Sequence, residues 1–298
     1  MSDPSLAPPI EEQLVSNGLR HHVLRWEGPG QSVVLCHGFL DLAWSWRLVA
    51  ERLVQEGHRV IAFDFRGHGE TEWVGAGGYY HFYDYVLDLD GLLPQLSAEP
   101  VHLVGHSMGG TACALYASVR PKRLRTLSLV EGIGPPAHPL AYAPDRLLGF
   151  LDSVARIRAH DPRPVANVEA AFERMRRYHP DLEPAFGRFL AEKAVRSLRP
   201  GEGEAGAEGF VFRYDPLHRS MSPTPFQAAL FEQHLERIQT PTLYVAGGRG
   251  FRPVDEAARL ERIAGARMVE IPDVGHMIHR DAAPALSEAL LESFTRAG

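Results

Sequence analysis

Short apolar runs alternate along most of the chain with longer stretches of helical periodicity, and this alternation restricts the possible folds more than any other feature. The runs predict strands at Leu19–Trp26, Ser32–Cys36, Val60–Phe63, Val101–Gly105, Leu124–Val130, Thr242–Ala246 and Arg267–Ile271, with an earlier strand near Gln13–Ser16 that pairs with the first as a hairpin. Helices are predicted at Ser45–Glu56, Phe82–Leu96, Met108–Val119, Val254–Ile263 and Ala283–Arg296. Because parallel strands need such crossovers, the pattern predicts an α/β fold, a mostly parallel sheet of about eight strands flanked by helices.

The alternation stops between Pro135 and about Leu235, where helical periodicity continues without a convincing strand until Phe210–Pro216. Helices are predicted there at Asp145–Ala159, Val165–Tyr178 and Leu182–Leu198, followed by a mobile loop, PGEGEAGAEG, at Pro200–Gly209. We therefore divide the chain into a core of residues 1–134 and 236–298 and an inserted helical cap of residues 135–235. The cap leaves from the strand ends at which α/β sheets bind ligands, which favours a substrate lid over a purely stabilising cover.

The composition narrows the class of partner. The chain has 298 residues, of which 45% are apolar and 23% charged, and a net charge of −6. This composition predicts a small neutral or apolar partner, and it argues against binding to nucleic acid or to an anionic membrane surface. Two cysteines, Cys36 and Cys113, cannot form a disulfide framework and fit a reducing compartment. The first residues, MSDPSLAPPIEEQ, lack the features of a secretory signal, and no apolar run approaches the roughly 18 residues of a spanning helix. These features predict a cytoplasmic protein without a membrane span.

The segment PVHLVGHSMGG, from Pro100 to Gly110, places a G-x-S-x-G motif directly between a predicted strand and a predicted helix. A serine on such a tight turn needs small residues two positions away on each side, and Gly105 and Gly109 fill these positions. The context therefore favours Ser107 as a nucleophile over an incidental serine in a glycine-rich turn.

Two further motifs follow strands. SVVLCHGFLD, which begins at Ser32, ends a strand in His37-Gly38-Phe39, which alone could be an ordinary turn. In IAFDFRGHGET, which begins at Ile61, we predict that Asp64 and Arg66 make local polar bonds and have little direct part in catalysis. In this order and spacing, the three motifs resemble those of the α/β-hydrolase fold superfamily, in its capped branch, over essentially the whole chain.

The resemblance implies a serine, an acid and a histidine in that chain order, with neither a cofactor nor a metal. It assigns the two amides of an oxyanion hole to Phe39 and to Met108, the residue after the nucleophile. It places the histidine after the last strand, in VEIPDVGHMIHRD, where His276 follows a glycine and matches the family position better than its neighbour His279.

The usual position of the acid is vacant. In most members of the family the acid follows the strand that corresponds to Thr242–Ala246, yet no Asp or Glu occurs between Arg237 and Val254, and Gly250 stands at the expected position. Asp255 falls in the first turn of the next helix, where the helix dipole already explains it. Asp273 is too near His276 in a short loop to bond its ring easily.

Glu131 is the better candidate, because it ends the apolar strand in TLSLVEG one strand earlier. A carboxylate at the end of a buried strand is costly without a hydrogen-bond partner, and an imidazolium is such a partner. Some family members, including a subset of the haloalkane dehalogenases, carry the acid after this strand. We therefore predict Glu131 as the acid; the alternative is a glutamate that is solvated or bonds local backbone amides.

The nucleophile distinguishes between reaction classes, since dehalogenases and epoxide hydrolases of this fold attack with an aspartate. A serine implies hydrolysis of carboxylic esters of small, fairly apolar substrates through an acyl-enzyme on Ser107, with His276 as the base. Lactone, thioester, amide or carbon–carbon bond hydrolysis is the alternative, as is a non-catalytic, ligand-binding member of the fold. Six cap aromatics could line the pocket, although packing is the commoner role for each: Phe150, Phe172, Phe186, Phe189, Phe212 and Phe226.

Overall fold

A computed structural model describes residues 7–137, 139–199, 202 and 208–297 of the chain. Ten strands are assigned in this part: β1 (Ile10–Ser16), β2 (Leu19–Trp26), β3 (Ser32–Cys36), β4 (Arg59–Phe63), β5 (Val101–His106), β6 (Leu124–Val130), β7 (Val195–Ser197), β8 (Phe210–Phe212), β9 (Thr242–Gly247) and β10 (Arg267–Ile271). The helices are α1 (Arg47–Gln55), α2 (Phe82–Leu96), α3 (Met108–Val119), α4 (Ala143–Arg158), α5 (Val168–Arg176), α6 (Pro184–Ala194), α7 (Ala228–Leu235), α8 (Glu256–Glu261), α9 (Ile278–Asp281) and α10 (Ala283–Ala297). Within the described residues, no helix is both long enough and apolar enough to cross a lipid bilayer.

Eight strands form the central sheet in the order β1-β2-β4-β3-β5-β6-β9-β10. The pairs β1–β2 and β2–β4 are antiparallel, and every other neighbouring pair in this sheet is parallel. Asn17 and Gly18 have positive φ angles of 51° and 77°, as a two-residue hairpin turn between β1 and β2 requires. The predicted fold class, a mostly parallel sheet of about eight strands flanked by helices, is therefore confirmed.

Helices cover both faces of the sheet, which explains why its central strands are continuously apolar. On one face, α1 and α10 pack through side chains such as Leu53 and Leu290. On the other, α2 and α3 pack through Leu89 and Tyr116. Because β3, β5, β6 and β9 are parallel, their carboxyl ends meet at one edge of the sheet.

The chain between β6 and β9 holds helices α4 to α7 and the small β7–β8 sheet. The predicted helix Leu182–Leu198 is too long, because Val195 is extended (φ −118°) and pairs with Phe212 of β8. Helix α7, which the predicted boundary at residue 235 places in the cap, packs through Phe231 and Leu235 into the same apolar cluster as α3. Most of the predicted mobile loop, at 200–209, lies outside the described residues.

Two predicted core helices are also shorter in the structure. The segment Ser45–Glu56 opens with a 3-10 turn at Ala43–Trp46 before α1 begins. The predicted helix Val254–Ile263 is reduced to α8; Val254 is fully exposed and adds no packing that would hold a further turn.

The loop after β4 is held by buried polar contacts. Asp64 accepts hydrogen bonds from the amides of Ala43 at 2.6 Å and Glu70 at 3.0 Å. Arg66 pairs with Asp88 of α2 at 2.6 Å. Asp64 bonds Ala43, 21 positions away, and Arg66 bonds Asp88, 22 positions away, so both side chains tie the loop to other parts of the chain, while Asp64 also makes a local bond to Glu70.

Candidate active site

Ser107 occupies the turn between β5 and α3, with φ 50° and ψ −116°. This backbone region is costly for a residue with a side chain and persists only where the surroundings fix it. The Ser107 amide donates to the Val130 carbonyl of β6 at 2.9 Å, and the Ser107 carbonyl accepts from the Thr111 amide at 3.0 Å. These bonds hold Ser107 in the lining of a cavity at the strand ends.

The glycines of the motif are required by close backbone contacts. A side chain at Gly105 would overlap the Gly109 carbonyl, and one at Gly109 would overlap the carbonyl oxygens of Cys36 and His37. The loop after β3 can therefore lie against the Ser107 turn only because residue 109 has no side chain.

Glu131 and His276 come together although 145 positions separate them in the chain. Nδ1 of His276 lies 2.8 Å from Oε2 of Glu131. The same carboxylate accepts hydrogen bonds from the amides of Gly247 at 2.7 Å and Phe251 at 2.8 Å. The Glu131 side chain is fully buried, and these donors satisfy a charge that would otherwise be costly there.

Gly250 stands beside this carboxylate. A Cβ atom at residue 250 would overlap the Glu131 carboxylate, whose atoms are the three nearest to that point. Glu131 therefore fills the volume that an acidic side chain from the loop after β9 would need. The φ angle of Gly250 lies outside the left-handed region, so its backbone does not itself require glycine.

Neither of the two alternative carboxylates is a partner of the His276 ring within the described residues. Asp255 pairs with Arg259 at 2.9 Å, and Arg259 also binds the carbonyl of Ile133 at 3.0 Å. Asp273 has a left-handed backbone (φ 56°). In the part of the chain that the structure describes, neither carboxylate bonds the His276 ring.

His279, the alternative histidine, is fully buried and lies outside the cavity lining. Its Nε2 lies 3.2 Å from Oδ2 of Asp41, and its ring packs 4.6 Å from that of Trp46. Burial lowers the pKa of His279 to about 4, so its ring is neutral at neutral pH. His106 lies between the rings of His276 and His279, and its Nε2 bonds the His276 carbonyl at 2.9 Å.

Phe39 and Met108, the predicted oxyanion-hole residues, both line the cavity with Ser107. Among the described residues, neither of their backbone amides has a hydrogen-bond acceptor. A Cβ at Gly38 would come within 3.2 Å of the Ser107 Cβ, so Phe39 directly follows a residue that lies against the Ser107 turn. Nδ1 of His37 bonds the Gly38 carbonyl at 2.7 Å and fixes this loop.

The cavity has a volume of about 440 Å³ and is formed by core and insertion together. Ser107, Glu131 and His276 lie in its lining with Phe39 and Met108. The segment 79–85, YYHFYDY, supplies one wall through every residue except its aspartate. The insertion contributes Leu217, His218, Ser220 and residues 222–224.

None of the six cap aromatics lies in this lining, and packing, the role that the sequence favoured for each, is the one observed. Phe189 packs against Trp44 with ring centres 5.4 Å apart, and Phe226 packs against Phe231 at 5.6 Å. The aromatic wall at 79–85 was missed, although its composition was a signal. It lies just before and within the first turn of α2, a core helix. The sequence prediction placed pocket residues only in the cap.

Buried side chains join the insertion to this aromatic wall. The Tyr80 hydroxyl donates to Asp215 at 2.8 Å, and the Tyr85 hydroxyl lies 3.0 Å from Nδ1 of His218. The His218 ring also lies 3.8 Å from the Tyr80 ring. Burial lowers the pKa of His218 to about 3, so this contact is between neutral groups. The insertion is thus docked on the wall by specific polar contacts.

One trio among the described residues, Asp41, His106 and His279, has ligand atoms close enough together to hold a metal ion. The Asp41 carboxylate is already bound by the Arg280 guanidinium and by His279. The positive charge of Arg280 opposes a cation at this point, so the trio fits a buried hydrogen-bonded cluster better than a metal site.

Comparison with known proteins places this geometry in a family. A model of the alpha/beta hydrolase fold family matches residues 31–283. The chain is 26% identical over 277 residues to an sn-1-specific diacylglycerol lipase from Mus musculus, a match that covers 88% of this chain and 80% of the lipase. It is 28% identical over 325 aligned positions to epoxide hydrolase A from Mycobacterium tuberculosis, covering 97% and 98% of the two chains.

Among solved structures, the thioesterase domain from the curacin biosynthetic pathway superimposes with a TM-score of 0.84 and 29% identity, over 96% of this chain and all of that domain. The fold and the hydrolases among its relatives define this protein as a hydrolase. The chain belongs to the alpha/beta hydrolase fold family.

Proposed function

We propose that the protein is a serine hydrolase that cleaves carboxylic esters of small, fairly apolar substrates through an acyl-enzyme on Ser107. The observation that supports this most is the 2.8 Å contact between Nδ1 of His276 and Glu131, in a cavity that Ser107 also lines. A carboxylate that holds the proton on Nδ1 leaves Nε2 free to accept a proton from a serine.

In this mechanism, Nε2 of His276 accepts the hydroxyl proton of Ser107 as Oγ attacks the ester carbonyl. Glu131 stabilises the imidazolium, and the amides of Phe39 and Met108 donate hydrogen bonds to the oxyanion. The alcohol then leaves with the proton from His276, and the acyl group stays on Ser107. A water molecule activated by the same histidine releases the acid and restores the serine.

The hydrogen bond between Ser107 and His276 is expected to form when substrate binds. Among the contacts of the described residues, none joins the Ser107 hydroxyl to the His276 ring. Catalytic hydrogen bonds are often long or poorly aligned without substrate, and the two residues already line the same cavity.

The same residues could hydrolyse thioesters, lactones or carbon–carbon bonds next to a carbonyl. Similarity to a thioesterase domain over nearly the whole chain makes a thioester the second candidate. Similarity to an epoxide hydrolase supports that chemistry less, because epoxide hydrolases of this fold attack with an aspartate and this chain has Ser107 at that position.

We also propose that the insertion acts as a cap on the core. The polar contact between Tyr80 and Asp215 and the insertion residues in the cavity lining support this division. Because α7 packs with α3, we propose that the cap ends near residue 227, before α7, instead of at 235.

Labelling with a fluorophosphonate probe, followed by mapping of the labelled peptide, tests the proposal directly. We expect the label on Ser107, together with hydrolysis of p-nitrophenyl butyrate. Both should be lost in Ser107→Ala and kept in Ser97→Ala, whose serine bonds a loop carbonyl outside the cavity. A wild-type protein that takes no label and cleaves neither esters nor thioesters would instead support the non-catalytic, ligand-binding alternative.

A further inference from the structure

Phenylalanine and tyrosine together form the largest group of residues in the lining of the cavity at Ser107, a feature that ester hydrolysis alone does not require. Five rings come from the wall at 79–85, namely Tyr79, Tyr80, Phe82, Tyr83 and Tyr85. Phe39 and Phe251 add rings beside the catalytic residues, and large aliphatic side chains are few. A ligand in this cavity therefore has several aromatic rings within reach, most of them on one wall.

The hydroxyls of three tyrosines of this wall are already paired inside the protein. The hydroxyls of Tyr80 and Tyr85 bond Asp215 and His218. The Tyr79 hydroxyl accepts from Ser220 at 3.1 Å. Because these three hydroxyls have partners, Tyr79, Tyr80 and Tyr85 offer a ligand mainly apolar contact. The remaining polar side chains of the wall, those of His81 and Tyr83, are exposed.

The lining also lacks a charge for a ligand to use. Glu131 is its one carboxylate among the described residues, and His276 and two backbone amides already bind it. In that same part of the chain, no lysine or arginine lines the cavity. A carboxylate, phosphate or ammonium on the substrate would lose part of its hydration in this cavity without gaining an ionic partner, which is unfavourable.

We propose that the substrate is an uncharged ester that carries an aromatic ring, bound against the wall at 79–85. This inference rests on the proposed ester hydrolysis at Ser107. Ring pairs gain stability beyond the area they bury, so an aromatic group gains more from this wall than a saturated ring of the same size. Tyr83 and Phe82 are the specificity-determining residues that can be changed most safely, because both are exposed and neither side chain anchors the insertion.

The test compares methyl esters that share one leaving group. Methyl 3-phenylpropanoate and methyl 3-cyclohexylpropanoate differ only in the aromatic character of the ring. We expect kcat/KM to be about three- to tenfold higher for the phenyl ester. Methyl hexanoate and monomethyl adipate differ by one carboxylate, and we expect the charged ester to react at least about tenfold more slowly. The esters 2-phenylethyl acetate and 2-cyclohexylethyl acetate repeat the ring comparison on the alcohol side, with leaving alcohols of nearly equal acidity.

The variant Phe82→Leu/Tyr83→Leu keeps an apolar wall and good helix formers but removes two rings. We expect it to lose most of the phenyl preference while Ser107 still takes the fluorophosphonate label. Tyr178→Leu is the matched control, because Tyr178 is strongly exposed and lies outside the cavity, and it should keep the preference.

Equal rates for the phenyl and cyclohexyl esters in both series, with Ser107 labelled, would overturn the aromatic proposal and leave the hydrolase intact. A preference that survives in Phe82→Leu/Tyr83→Leu would also overturn it. A protein without labelling and without turnover of any ester contradicts the proposed function itself. The two failures are therefore distinguishable.

Discussion

The Glu131 carboxylate occupies the volume that a side chain at Gly250 would need. The carboxylate that bonds His276 therefore comes from the end of β6, and the loop after β9, where most members of this family carry the acid, approaches the same point without one. The hydrogen bond to the imidazole depends on where the carboxylate lies and not on which strand supplies it. A neighbouring strand can thus supply the acid if the residue at the usual position is small enough to leave room for it.

Replacing Glu131 with glutamine tests the role of this contact. Glutamine can donate to Nδ1 of His276 or leave it with the wrong tautomer, and it cannot stabilise an imidazolium. We expect Glu131→Gln to lower kcat for ester hydrolysis by about 10⁴-fold, or about 5 kcal/mol, with the fold retained. Steady-state kinetics and circular dichroism measure the two quantities.

Asp273→Asn is the control for that substitution, because Asp273 lies three residues before His276 and does not bond its ring. It should keep kcat within a few fold. If Glu131→Gln retains activity and Asp255→Asn loses it, the acid has been placed on the wrong strand.

Moving the acid back to residue 250 is a second test. Glu131→Gln leaves no room for a side chain at 250, so the rescue requires Glu131→Ala combined with Gly250→Asp. We expect the double variant to exceed Glu131→Ala in kcat by about a hundredfold and to remain below wild type, since a carboxylate misplaced by about 1 Å loses about a hundredfold.

The same Gly250→Asp change in the wild-type background should be harmful, because its Cβ overlaps the Glu131 carboxylate. The sign of its effect therefore depends on residue 131. A Gly250→Asp substitution that is harmless on its own would show that the two side chains do not share this space.

Motif spacing predicted much of the candidate site, whereas the cavity wall could not be read from it. Ser107, Glu131 and His276 each follow a strand of a parallel sheet, and such strand ends converge by geometry alone. The wall at 79–85 ends the connection from β4 and forms the first turn of α2, and its polar contacts with the insertion depend on how the insertion packs. The end of α6 at Ala194 likewise depends on pairing with Phe212, which is distant in sequence.

The buried pair of Asp41 and Arg280 gives a prediction about stability. Burial alone would raise the pKa of Asp41, but the charge of Arg280 and the hydrogen bond from His279 outweigh it and hold that pKa well below its usual value. Asp41→Asn leaves a buried guanidinium without its counterion and should cost about 3–5 kcal/mol at neutral pH, measured by urea unfolding.

The double variant Asp41→Asn/Arg280→Met removes both charges and should cost less than the sum of the single changes. Because the folded pKa of Asp41 is depressed, its stabilising effect is present above about pH 4 and is lost as the pH falls further. The difference between wild type and Asp41→Asn should therefore shrink in acid; a difference that is constant down to pH 3 contradicts the assignment.

The buried His102, which lies away from the cavity, leads us to expect a second effect of pH on folding stability. Its ring packs 4.1 Å from Phe294 and its Nδ1 lies 2.8 Å from the Thr126 hydroxyl. Burial first, and then the charges of His58 and Arg125, lower the pKa of His102 from 6.5 to about 4. Between these values the unfolded chain binds a proton that the folded protein does not, so stability falls as the pH drops from 6.5 towards 4.

Glutamine at residue 102 binds no proton in either state, so His102→Gln should lose stability less steeply as the pH falls. The difference in slope from wild type should reach up to about 1.4 kcal/mol per pH unit between pH 6.5 and 4. Urea unfolding at several pH values between 7.5 and 4.5 measures the slope. Glutamine can still bond Thr126, and His102 lies outside the cavity lining, so the rate of Ser107 labelling at pH 7.5 should not change. An unchanged slope in His102→Gln would mean that the folded protein accepts the proton on His102, and that burial of this ring does not contribute to acid unfolding.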